Sequence, residues 1–185
     1  NVSCRGPEGF LITPAGVPYR DLSAEQMVPL ALDCAPEPGG LRPSSEWRMH
    51  AAIYARRPEV SAIVHTHSPR ATALACAGRG IPPFHYMIAL AGGDVRCMPY
   101  ATFGTSELAE SAVRGREGRR ATLLATHGVI AVGSTLNAAH AVAVEVARLE
   151  RGTLLAFAVE IARLALFAFL ACLECGTLIA FAVEI

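Results

Sequence analysis

The chain has 185 residues, 52% of them hydrophobic, which suits a single domain that buries its own core without disulfides. Lys plus Arg equals Asp plus Glu at 16 each, so net charge argues against a polyanionic nucleic acid or an acidic membrane surface as partner, and any phosphate recognition has to be local. The six cysteines are scattered and no secretory leader is visible, so a reducing cytoplasm is the expected setting; Cys172 and Cys175 have CxxC spacing but lack the second pair of a zinc site and read as ordinary thiols.

The first residues, "NVSCRGPEGFLITPAGVPYRDLS", alternate short apolar runs with Gly and Pro and read as a hairpin followed by a loop. No Met precedes Asn1, and the chain is expected to lack an N-terminal part. Residues 34–45 form a Pro/Gly/Ser loop. A helix follows, with Ser44 or Ser45 as its cap, Glu46 in its first turn, an apolar stripe at Trp47, Ala51 and Tyr54, and an end at Pro58. Next come a strand in "EVSAIVHTH" and a short helix in "SPRATALACAGRG" that stops at glycine.

Beyond these, "PPFHYMIALAGG" reads as a loop and helix, Val95–Met98 as a strand, and Thr105–Ser106 as a helix start. "RATLLATHGVIAVG" gives two strands meeting at a turn, and "STLNAAHAVAVEVARLERG" a helix capped by Ser134 or Thr135. Interleaved helices and strands indicate an α/β layered domain over residues 1–150. From 151 to 185 the composition shifts to an apolar helical tail in which "GTLLAFAVEI" recurs as "GTLIAFAVEI". Glu160 and Arg163 interrupt its apolar run, so a buried or oligomer-facing helix is expected rather than a membrane span.

The chemistry gathers around histidines. On a strand, His65 and His67 project to one face, so their imidazoles can converge on one ion. Alone, such a pair is more often a hydrogen-bonded couple than a metal site. His127 offers a third ligand at a break where Gly128 is expected to let the backbone turn. Three neutral imidazoles with an open position are the donor set of a catalytic zinc site. Ser44 and Ser45 at a helix start could hold a phosphate or simply cap the helix, and Glu46 beside them could act as a general base.

Together "FLITPAGVPY", "PSSEWRMHAAIYARRPEVSAIVHTHS", "IPPFHYMIALAGGD", "PYATFGTSELAE" and "ATLLATHGVIAVG" resemble the class II aldolase/adducin head-domain family from Asn1 to about Glu150. The resemblance implies a three-layer α/β fold whose mixed or mainly antiparallel sheet is flanked by helices. It implies Zn2+ held by His65, His67 and His127, with Glu46 as acid/base. Asn1, Gly16, Ser44 and Ser45 would hold a substrate phosphate, Tyr86 would donate a proton to the aldehyde oxygen in the aldol direction, and Phe103 would form an aromatic wall.

The implied partner is a small phosphorylated sugar. The implied reaction is cleavage of L-fuculose 1-phosphate, or a related ketose 1-phosphate, to dihydroxyacetone phosphate and L-lactaldehyde, in a homotetramer with sites between subunits. Ribulose-phosphate 4-epimerases of the family usually carry Asp where this chain has Glu46, and adducin heads lack the full ligand set. Ala15 stands where a threonine commonly binds phosphate, and the tail after Arg151 is atypical of the family.

Overall fold

A computed structural model describes residues 1–33 and 40–174, with side chains to residue 163. Cys34, the Cys172/Cys175 pair and the second copy of the repeated decamer therefore lie outside the described side chains.

The opening segment folds as the expected hairpin, β1 (Val2–Gly6) and β2 (Gly9–Ile12), joined through Pro7 and Glu8. Gly9 has φ +159° and packs so closely on the next strand that a Cβ there would lie 2.0 Å from the Leu30 carbonyl oxygen. That strand, β3 (Val28–Leu30), was not expected from the sequence, because Pro29 interrupts its short apolar run. It pairs at the sheet edge, where a missing N–H is tolerated.

Helix α1 (Trp47–Arg56), strand β4 (Ala62–Thr66), helix α2 (Pro69–Cys76), strand β5 (Arg96–Met98), helix α3 (Ser106–Gly115), strands β6 (Ala121–Leu124) and β7 (Gly128–Gly133), and helix α4 (Leu136–Glu174) complete the order. The segment expected as a loop and helix before β5 carries a 3-10 helix at Tyr86–Ala91, ended by Gly92 at φ +101°. The seven strands lie in the order β3-β2-β1-β4-β7-β6-β5, and among them only β5 and β6 pair in parallel.

Strand alternation sorts the core into two halves. Ala62, Val64, Val129 and Ala131 face α2 and α4, where Leu74, Val142, Val146 and Leu149 are buried. Ile63, Ile130 and Val132 face α1 and α3, where Ile53, Tyr54, Leu108 and Ala112 are buried. The result is a mixed sheet between two helical layers. His65 has the parity of Ile63, so it emerges on the α1 side.

Two elements differ from expectation. α1 begins at Trp47, and its N-cap is Glu46, which makes no side-chain cap bond because its carboxylate is turned toward the histidines. α4 does not stop near Gly152 but continues to Glu174 over 39 residues. Gly152 serves close packing there, since a Cβ would sit 2.9 Å from Phe84 Cε2. Among the described residues, no helix is long and apolar enough to cross a membrane.

Candidate metal centre

Three neighbouring segments deliver the cluster. β4 ends at Thr66, which leaves His65 within the ladder opposite Ile130 and His67 just past it. His127 stands in the β6–β7 turn, where its N–H donates to the Leu124 carbonyl. The strained residue of that turn is Thr126, at φ 57°, and Gly128 is not in the left-handed region. Gly128 is needed for space: a Cβ would lie 2.5 Å from the Thr66 carbonyl oxygen and 2.9 Å from His67 Cδ2.

The three imidazoles pack edge to face, with centroids 4.7, 5.0 and 4.8 Å apart and planes inclined by 74–76°. This near-threefold array turns the ring edges inward. His65 Nε2 lies 2.8 Å from His67 Nε2 and 3.0 Å from Glu46 Oε2, while His127 Nε2 lies 2.6 Å from Glu46 Oε1. One potential ligand atom from each of the four residues falls within 4.8 Å of the others.

The donor set fits a divalent cation. His65 Nδ1–H donates to the Val129 carbonyl at 2.9 Å, which leaves Nε2 as the nitrogen aimed into the cluster, with a lone pair there in the metal-binding form of the ring. A lone pair cannot bond to the Glu46 carboxylate it faces, and a positive charge between them satisfies both. Glu46 Oε1 is buried and faces His127 Nε2. Without a metal, a proton on the facing nitrogens supplies that positive charge: burial alone would push the Glu46 carboxyl up, but hydrogen bonds and positive charge from His127 and His65 outweigh it and hold the group far below the usual carboxylate range. Burial, then neighbouring His65, keeps His67 below the ordinary imidazole range, which favours its neutral, ligating form.

The remaining expected residues are placed unevenly. Ser45 and Phe103 line a cavity of about 490 Å³ together with Glu46, His67, Tyr100 and His127, and Phe103 is exposed. Ser44 is buried, and its Oγ accepts from the Glu46 N–H at 3.4 Å. Gly16 turns at φ +77° in the loop that the Pro14–Pro43 bridge pins beside Ser44. Asn1 donates through Nδ2 to Glu46 Oε2 at 2.8 Å, so one of its two amide hydrogens remains for a ligand. Tyr86 is 79% exposed, its ring beside His85, and it is not among the residues lining the cavity.

Sequence reasoning missed the layer behind Glu46. His50 Nε2 lies 2.6 Å from Asn1 Oδ1, its Nδ1 lies 2.7 Å from Ser3 Oγ, and Ser3 Oγ lies 2.8 Å from Tyr54 Oη. His50, Ser3 and Tyr54 are buried, and Asn1 is half-buried. Glu46, His50 and Tyr54 recur every four residues on one face of α1, and that polar stripe was the available signal.

This three-layer fold, with a carboxylate and three imidazoles gathered at one end of the sheet, defines a class. The chain belongs to the Class II Aldolase and Adducin N-terminal domain family, whose sequence model matches residues 1–153. Among individual proteins, it is 54% identical over 151 residues to the 5-methylthioribulose-1-phosphate/5-deoxyribulose-1-phosphate aldolase of Rhodospirillum rubrum, covering 80% of this chain and 67% of that protein. It is 49% identical over 132 residues to the L-fuculose phosphate aldolase of Escherichia coli K12, covering 71% and 61%. A solved L-fuculose 1-phosphate aldolase superposes with a TM-score of 0.80 at 39% identity, covering 85% of this chain and 76% of that one. The chain thus spans 61–67% of the length of these two curated relatives.

Proposed function

We propose that the protein is a zinc-dependent aldolase that reversibly cleaves a ketose 1-phosphate, with L-fuculose 1-phosphate as substrate and dihydroxyacetone phosphate and L-lactaldehyde as products. The observation that carries this reading is the convergence of His65, His67 and His127 on the buried Glu46 carboxylate beside an open cavity. A bound divalent cation would supply Lewis-acid polarisation of the ketose oxygens.

The protein's own groups do the rest. Glu46 is the group that exchanges the proton, and its carboxylate is held from both sides, Oε2 by Asn1 and Oε1 beside His127 Nε2 at 2.6 Å. In condensation it removes a proton from the carbon beside the carbonyl. In cleavage the proton of the aldehyde-side hydroxyl passes by way of Tyr86 and solvent to Glu46, the carbon–carbon bond breaks with its electron pair left on the ketose-derived carbon, and Glu46 delivers that proton to the same carbon. Ser44, Ser45, Gly16 and the free Asn1 amide hydrogen hold the phosphate. Phe103 walls the aldehyde side.

Tyr86 donates the proton to the aldehyde oxygen from a neighbouring subunit of a homotetramer, a role supported by its solvent-facing ring. The second substrate reading is a 5-deoxyribulose or 5-methylthioribulose 1-phosphate, favoured by the 54% identity to the R. rubrum aldolase. The test is release of dihydroxyacetone phosphate from each ketose by the wild type and Glu46→Gln. Faster release from L-fuculose 1-phosphate, lost in the variant, supports the first reading; faster release from the deoxy sugar selects the second; no release from any of them rules out both.

A further inference from the structure

The buried chain behind Glu46 has a single direction. Asn1 must present Nδ2 to the carboxylate, because the opposite amide orientation would set Oδ1 against Oε2, two acceptors 2.8 Å apart. Asn1 Oδ1 then faces His50, and an amide oxygen only accepts, so His50 Nε2 carries the hydrogen. A neutral His50 has its lone pair on Nδ1, which accepts from Ser3 Oγ–H. Ser3 Oγ in turn accepts from Tyr54 Oη–H. Four donors, from Tyr54 through Ser3, His50 and Asn1, point toward one carboxylate oxygen. Each hydrogen bond polarises the next in this dry environment.

We propose that His50 is a positioning residue: locked by Ser3 as its Nε2–H tautomer, it fixes the Asn1 amide, which holds Glu46 Oε2 and so sets the orientation in which the carboxylate exchanges its proton. Three observations support this. His50 is completely buried, so no water competes for its two nitrogens. Burial, and after it the nearby His65, keep the ring well below the ordinary imidazole range, hence neutral. His50 is also one turn along α1 from Glu46, so one rigid helix sets both ends of the link.

The catalytic consequence rests on the aldolase reading above, but the tautomer does not, and the experiment separates the two. The variants are His50→Leu, which removes both hydrogen bonds, His50→Gln, which keeps a donor and an acceptor, and Ser3→Ala, a smaller change that removes the tautomer lock. Each is studied with saturating zinc, and its metal content is counted. His50→Leu is expected to lower kcat about 10- to 100-fold with KM nearly unchanged, and His50→Gln to recover most of that loss.

Independently of activity, 15N NMR of the metal-free wild type is expected to show His50 protonated at Nε2, and His50→Leu to shift the Asn1 side-chain amide signals. Ser3→Ala is expected to weaken the tautomer preference. An Nδ1–H His50, an Asn1 signal unmoved in His50→Leu, or a kcat loss that follows metal loss alone would overturn the proposal. A wild type with the expected tautomer that releases no dihydroxyacetone phosphate would instead overturn the aldolase reading and leave the network standing.

Discussion

Gly128→Ala tests whether close strand packing sets the position of a candidate ligand. The added Cβ would lie 2.5 Å from the Thr66 carbonyl oxygen and 2.9 Å from His67 Cδ2, so β4 and β7 must part or the ring must swing away. Overpacking of this kind costs about 1–3 kcal/mol, and a clash with backbone belongs near the upper end. In a domain of this size that corresponds to a Tm loss of roughly 4–12 °C.

Gly133→Ala supplies the control. Its Cβ would meet the Ala139 backbone nitrogen at 2.4 Å, an equal crowding at the opposite end of β7. Differential scanning calorimetry should show comparable Tm losses for both variants. Zinc titration should show affinity reduced about 10- to 100-fold in Gly128→Ala alone. Equal zinc affinity in the two variants would refute the link between the glycine and the His67 ring.

Two buried charges give further tests. Glu150 is buried, its Oε1 has no partner among the described residues, and burial pushes its carboxyl above the usual 4.5 although Ser68 donates to Oε2. The folded state therefore holds a proton that the unfolded state has released, and stability falls as pH rises through that window. Glu150→Gln should match the wild-type Tm near pH 4 and exceed it at pH 7 in thermal melts; a constant offset would contradict the assignment. Arg116 is fully buried, its two terminal nitrogens have no partner among the described residues, and burial lowers its pKa to about 9. Arg116→Met should raise stability by about 1–3 kcal/mol in urea unfolding at pH 7, and a loss of stability would point to a partner for those nitrogens.

Local chemistry made much of the fold legible. Proline and glycine marked the hairpin, Ser68 and Thr105 cap α2 and α3 as their positions suggested, and β-branched runs became β4, β6 and β7. What failed depended on tertiary contact. Gly152, inside the long last helix, admits the Phe84 ring, a neighbour distant in sequence. Gly128 looked like a turn residue, yet Thr126 bears the positive φ and Gly128 makes room for β4.

At the site, strand parity anticipated that His65 and His67 share a face, and the break in the next hairpin anticipated His127. Glu46 was read beside a phosphate cradle; its placement as N-cap, with the carboxylate turned away from the helix, follows from the histidines that face it. His50 escaped notice because the apolar stripe at Trp47, Ala51 and Tyr54 hid a polar one at Glu46, His50 and Tyr54. Tyr54 belongs to both, its ring packed on Phe10 and its hydroxyl on Ser3.

The central claim is that the three histidines hold a metal without which Glu46 has no reaction to serve. Its most direct test is to strip the protein with a chelator, restore zinc stepwise, and follow metal per chain and dihydroxyacetone phosphate release together in the wild type and His67→Ala. The account predicts one zinc per wild-type chain, release that rises in proportion to it, and weak zinc binding with little release in His67→Ala. Release that persists in the stripped protein, or at wild-type rate in His67→Ala, would contradict it.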